Sequence, residues 1–390
     1  MRPRRIRILS MALFAALALA GVAPGQESPK FLWGPGEARF TVGAGVDRET
    51  AAAMAQFPIV SPVMPTWNGS FTLSSTNYPF TMIGTDPALG SKSTTVKTLI
   101  VPVIFSFSDG TLLNPTKKVC GGKSSALTLT RRSPIFQSFN YPSGGTSVGK
   151  SQYGDAFQRA NFWANVSTTA PKYHVLLTKT GQTAVVEVVV PPVDGSTIPG
   201  PCAPIGQVEI NWFDRTVIPA LLSKFAQIKP NVFPIFLNYN VFLYDTTPSN
   251  CCILGYHNAV LNSEGIQTYS EAAFSDPGIF TVDLEDVSAL GHEVAEWMDD
   301  PLVTNLTPPW GNIGQVLGCP TPSFLEVGDA LTVTAFTETG SNHFTYHLQD
   351  LTFLSFFSRA TPSTSVNGWY SFVGTFLNPS KACPPGGLGP

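Results

Sequence analysis

Leu290-Gly291-His292-Glu293-Val294-Ala295-Glu296-Trp297-Met298-Asp299-Asp300-Pro301 is the stretch on which the reading of this chain turns. It predicts a helix that Pro301 ends. Residues four apart in a helix stand one above the other on the same face. His292 and Glu296 then reach one ion, and Glu293 sits beside it, free to handle a proton. Val287, Leu290, Val294 and Trp297 recur at helical spacing and predict a stripe facing a core. The helix is expected to be buried on one side and chemically active on the other. Asp283, Glu285 and Asp286 place carboxylates at its start, where they suit caps and the positive end of the helix dipole.

A His-Glu-x-x-(Glu or His) pattern is expected about 0.007 times in a chain of this composition. The competing bland reading is a polar helix face above an apolar core. Two later carboxylates, Glu326 and Asp329 in Phe324-Leu325-Glu326-Val327-Gly328-Asp329, favour chemistry. A catalytic zinc takes three protein ligands, one of them from a separate segment, and keeps its fourth position for water. Asp329 is expected to accept the second ring N–H of His292 and so fix its tautomer.

On those residues the chain resembles the zincin metallopeptidases, in the gluzincin-like arrangement where a helical HExxH is followed by a glutamate ligand. The likeness spans roughly residues 214–329 and is specific at His292, Glu293, Glu296, Glu326 and Asp329. It implies zinc on His292, Glu296 and Glu326, with Glu293 as general base in the hydrolysis of a peptide or protein substrate. The metzincin pattern is absent, because position 302 is Leu. Glu296 stands where the family has its second His. Two carboxylates and one imidazole neutralise the ion's formal charge, which makes its water less acidic and shifts preference towards Mn2+ or Ca2+. Among Tyr256, His257, His343, Tyr346 and His347, the first choices for an oxyanion donor are His257 and Tyr346. Two rival functions stay open: a non-catalytic secreted or cell-envelope binding protein on the same scaffold, and a glycosidase using two of Glu293, Glu296 and Glu326.

The remaining sequence sets the context. Arg2, Arg4, Arg5 and Arg7 precede an apolar run from Ile8 to Ala20, and Ala18-Leu19-Ala20 suits cleavage, so residues 1–25 read as a signal peptide. A secreted or periplasmic protein follows, with no later apolar run long enough to span a membrane. Without those arginines the formal net charge moves from −3 to about −7, and no Lys/Arg cluster suggests nucleic acid. A monomer is expected. Residues 26–70 read either as a flexible lead-in or as a pro-segment. Six cysteines predict disulfides, with Cys251 and Cys252 expected to take separate partners.

The expected fold is α/β (α+β): a mixed twisted sheet, a β-rich part over 71–200 and a metal-site part over 201–390, with the two open to forming one domain. Strands are expected at 71–73, 95–106 and 184–190, and helices at 153–165 and, kinked by Pro219, at 214–228. Residues 233–244 read as one or two buried strands and 268–274 as a short edge strand. The aromatic stretches 344–357 and 369–376 are expected to return to the sheet. Asp155 and Arg159 suggest a surface ion pair. Asp299-Asp300-Pro301 reads either as a turn start or as a Ca2+ position.

Overall fold

The apolar run Thr-Leu-Ile-Val-Pro-Val-Ile-Phe lies in the strand around which the molecule is assembled, β1 (Ser93–Ser106). Its first residues alternate exposed and buried, and from Thr98 to Val103 both faces are covered, as expected of a strand inside a parallel sheet. The computed structural model describes residues 63–178, 181–262, 264–311, 323–332 and 334–380. The expected signal peptide, nearly all of the lead-in, Cys319 and Cys383 lie outside them.

Three more strands complete one half of the sheet: β2 (Val232–Tyr239), β3 (Gly255–Asn262) and β4 (Gly265–Phe274). Their order is β3-β4-β2-β1, with β4, β2 and β1 parallel and β3 antiparallel at the edge. On the other side of β1, short strands at His174–Leu177, Gly181–Gln182 and Val186–Val189 pair with successive parts of it. That pairing is interrupted between Ile100 and Val103, where Pro102 has no N–H to offer. A strand from the first half of the chain therefore sits between partners from both halves.

Helix α1 (Tyr153–Asn161) and helix α2 (Ser288–Asp299) pack against each other, and α2 also lies on β3 and β4. Trp297 fixes α2 to the sheet by stacking on Phe233, with ring centroids 3.8 Å apart and planes 12° from parallel. Such a pair adds about 0.5–1.5 kcal/mol to the area it buries. All twelve residues of α2 are buried. The chemically active side expected from the sequence is thus covered, by β3, by residues 324–329 and by the hairpin of β5 (Ala335–Thr339) and β6 (Thr345–Gln349). The acidic capping expected at the helix start is not found: Val287 stands at the N-cap with no side-chain cap bond, and Asp286 accepts from Val287 itself and from His347.

Several local expectations are corrected. The first strand starts at Thr66, inside the presumed lead-in, and forms a hairpin with Thr76–Ile83. The segment containing 268–274 is an inner strand, and the edge belongs to Gly255–Asn262. The helix over the expected 214–228 starts earlier, at Ile210, and passes through a wider π turn at Phe213–Val217 just before Pro219. The aromatic tail does not rejoin the central sheet. Thr345–Gln349 pairs only with β5, and Leu354–Phe357 is a helical turn. Aromatic content there signalled core: Phe353, Phe356, Phe357 and Phe372 are all buried.

Cys251 and Cys252 lie at disulfide distance from each other, with Cα atoms 3.0 Å apart, rather than reaching separate partners. Cys120 and Cys202 form the second such pair. Asp155 and Arg159 are buried, not on the surface. Asp155 accepts from Ser151, His174 and the Val175 N–H, while Arg159 donates to the carbonyls of Val148, Pro171 and Tyr173. No helix of the described residues is long and apolar enough to cross a membrane.

Candidate metal centre

Helical spacing brings His292 and Glu296 together as anticipated: His292 Nε2 is 2.9 Å from Glu296 Oε2. The third group on that side is Asp329, whose Oδ1 lies 3.7 Å from the same nitrogen. Asp329 was expected behind the imidazole and stands in front of it. The position behind belongs to Gln349, which sequence reasoning missed. Its Nε2 donates to the Gly328 carbonyl, so its Oε1 is an acceptor, 3.0 Å from His292 Nδ1. A ring proton is thereby held on Nδ1, and Nε2 faces the two carboxylates.

Gly328 makes this approach possible. A Cβ at that position would meet His292 Nδ1 at 2.4 Å, so only glycine lets the loop backbone lie against the ring. The same loop donates the Gly328 N–H to Glu296 Oε1 at 3.0 Å. One turn of backbone therefore orients both helix residues.

A second group stands on the other side of Glu296. His257, on β3, places Nδ1 3.2 Å from Glu293 Oε2 and 3.9 Å from Glu296 Oε2. Its Nε2 is 3.1 Å from the carbonyl oxygen of Asp300, which can only accept. A ring proton again sits on the far nitrogen, and Nδ1 faces carboxylates. His257, Glu293 and Glu296 form one set of converging ligand atoms, and His292, Glu296 and Asp329 form another.

Glu326 lies outside both sets among the described residues, although it is buried and close enough to interact electrostatically with Glu293, Glu296, Asp300 and Asp329. Tyr346 is elsewhere: its hydroxyl donates to the Leu129 carbonyl and accepts from Asn342. Tyr256 is held by Asp214, His347 by Asp286, and His343 is exposed on the hairpin turn. Asp300 caps the helix and accepts the N–H groups of Thr304 and Asn305, the turn-starting role.

The electrostatics are those of too many carboxylates in a dry place. Burial pushes Glu293, Glu326 and Asp329 above the usual carboxylate range, and neighbouring carboxylates add to it. Burial raises Glu296 most, but the charge and hydrogen bond of His292, with His257 and the Gly328 N–H, together hold it below its ordinary value. Burial would lower His292, yet Glu296 and its neighbours carry it up to about 10. A proton between His292 and Glu296 stands where a cation could. Glu293 Oε1, Glu326 Oε1 and Asp329 Oδ1 are buried without a hydrogen-bond partner.

The donor set fits a divalent metal. Ligand bonds of about 2.0–2.2 Å at a tetrahedral zinc set neighbouring ligand atoms about 3.4 Å apart. The separations of 2.9 and 3.7 Å at His292, and of 3.2 and 3.9 Å at His257, bracket that distance. Comparison of the chain with models of known protein families, with curated proteins and with solved structures finds no match.

Proposed function

We propose that this chain is an exported metal-dependent hydrolase, of metallopeptidase type, whose ion is held by His292, Glu296 and Asp329. The observation that carries the reading is a pair of buried contacts, His292 Nε2 on Glu296 Oε2 and His257 Nδ1 on Glu293 Oε2, with the other nitrogen of each ring turned to an anchoring oxygen. A proton or a cation lies in such a contact. An imidazole in the set favours zinc or manganese over calcium, which takes oxygen ligands.

Such a metal supplies Lewis acidity and a nucleophile usable near neutral pH. The protein's own residues do the rest. Glu293 is adjacent in sequence to the His292 ligand and has one oxygen free to accept a proton and return it to a leaving group. Gln349 and Gly328 hold the His292 ring and the Glu296 carboxylate in place. Burial excludes water and strengthens each of these interactions. The Asp329 side chain, 21% exposed where His292 is fully buried, marks the side from which a substrate would approach.

The same burial favours a second reading, an ion that holds the fold of a non-catalytic exported binding protein. Elemental analysis of wild type beside His292→Ala tests the metal, and cleavage of a denatured protein with and without chelator tests the activity. Bound zinc or manganese that the variant loses, together with chelator-sensitive cleavage, is the expected result. A wild type that takes up no metal from added zinc sinks the proposal. Bound metal without cleavage of any peptide bond replaces the hydrolase with the binding protein.

A further inference from the structure

We infer that the site is binuclear: a second divalent cation binds between His257, Glu293 and Glu296, sharing the Glu296 carboxylate with the first. The inference rests on the metal reading above and extends it to residues that the zincin resemblance does not use as ligands.

The shared atom is visible. Glu296 Oε2 lies between two imidazole nitrogens, 2.9 Å from His292 Nε2 and 3.9 Å from His257 Nδ1. Each imidazole is set up in the same way, with one nitrogen anchored to an oxygen behind it and the other turned towards that carboxylate. For His257 the anchor is a backbone carbonyl, so the tautomer does not depend on how a side chain is turned. Metal-bound histidines commonly have such an anchor.

A second, independent observation is the carboxylate of Glu293. Its Oε2 faces His257 Nδ1 at 3.2 Å, and its Oε1 is buried with no hydrogen-bond partner. Held through one oxygen, Glu293 keeps the other for the proton-handling duty proposed above. The two sets of converging ligand atoms, His257 with Glu293 and Glu296, and His292 with Glu296 and Asp329, have the Glu296 carboxylate in common.

The test uses the full chain, stripped with chelator and titrated with Mn2+, read by equilibrium dialysis and electron paramagnetic resonance. Wild type is expected to saturate at two ions per chain, with a spectrum altered by coupling between them. His257→Ala and Glu293→Gln should each saturate at one ion and give the signal of an isolated Mn2+. His292→Ala should likewise keep one, and Glu296→Gln should weaken both ions about tenfold or more. Wild type that saturates at one ion overturns the inference, whichever variant removes that ion, and this arm does not depend on any variant folding. Two ions that remain in His257→Ala, confirmed as folded by circular dichroism, also overturn it. If no Mn2+ binds, the binuclear site and the metal reading fall together. If two bind and no substrate is cleaved, the hydrolase falls alone.

Discussion

Two buried clusters in this molecule use the same residue types and come out differently. Around α1, Asp155 meets the Ser151 hydroxyl, His174 Nδ1 and the Val175 N–H, while Arg159 meets three carbonyls. Each acceptor there faces a donor. Around α2, two imidazoles face several carboxylates, and one oxygen each of Glu293, Glu326 and Asp329 has no hydrogen-bond partner. The first arrangement is complete as it stands, and complete polar clusters hold a fold together. The second holds more acceptors than donors. Residue identity does not separate the two clusters; the count of donors against acceptors does.

The largest expected effect lies in the complete cluster. Asp155→Ala leaves buried donors without an acceptor and should cost about 3–5 kcal/mol of stability, the same with chelator as with zinc. Urea unfolding in both conditions checks it, and a cost that vanishes when metal is added would erase the distinction between the clusters. Next comes the ligand effect at α2. Zinc at a hundred times its dissociation constant should stabilise wild type by about 2.7 kcal/mol, seen as a higher melting temperature, and should do much less for His292→Ala. An equal shift in both proteins would place the zinc elsewhere.

Somewhat smaller effects fall on the residues that orient the ligands. Gln349→Leu removes the acceptor behind His292, and Gly328→Ala drives a methyl group into the ring. Each should weaken metal binding about 10–100-fold, measurable by competition with a chromophoric chelator. Unchanged affinity in Gln349→Leu would mean that the His292 tautomer is set by something else. The smallest effect belongs to a carboxylate between the two extremes, Asp214, with one oxygen held by Tyr256 and the other buried without a partner. Burial lifts it to about 6, against the opposing Tyr256 hydrogen bond. A raised carboxylate favours the fold in its protonated form. Its contribution is present below the unfolded value near 4 and lost as pH rises through about 6. The urea midpoint of wild type should therefore fall over that window more than that of Asp214→Asn, and parallel curves would remove Asp214 from the account.

The α2 helix and its His292–Glu296 pair were legible because helical periodicity is local. So were β1 and β2, as apolar runs bounded by turns. Gln349 was not legible, since an amide in a short strand looks like any solvent-facing residue until the fold puts it behind an imidazole. His257 could be named but not placed, because its strand has no alternation to mark it and borders the cysteine pair. Glu326 and Asp329 are three residues apart, and only the loop's path decides which faces His292. The tail misled because aromatic residues report burial equally well from strands, helical turns and loops.

The place of β1 in the sheet also bears on how the chain can be divided. Ser93–Ser106 pairs with Val232–Tyr239, which pairs with the strand leading towards α2. A gene fragment starting at residue 201 would encode His257, His292 and Glu296 together with a hydrophobic strand edge that has lost its neighbour. Residues 201–390 are therefore not a cassette that can be grafted alone: a host would have to supply a substitute for β1 along Val232–Tyr239.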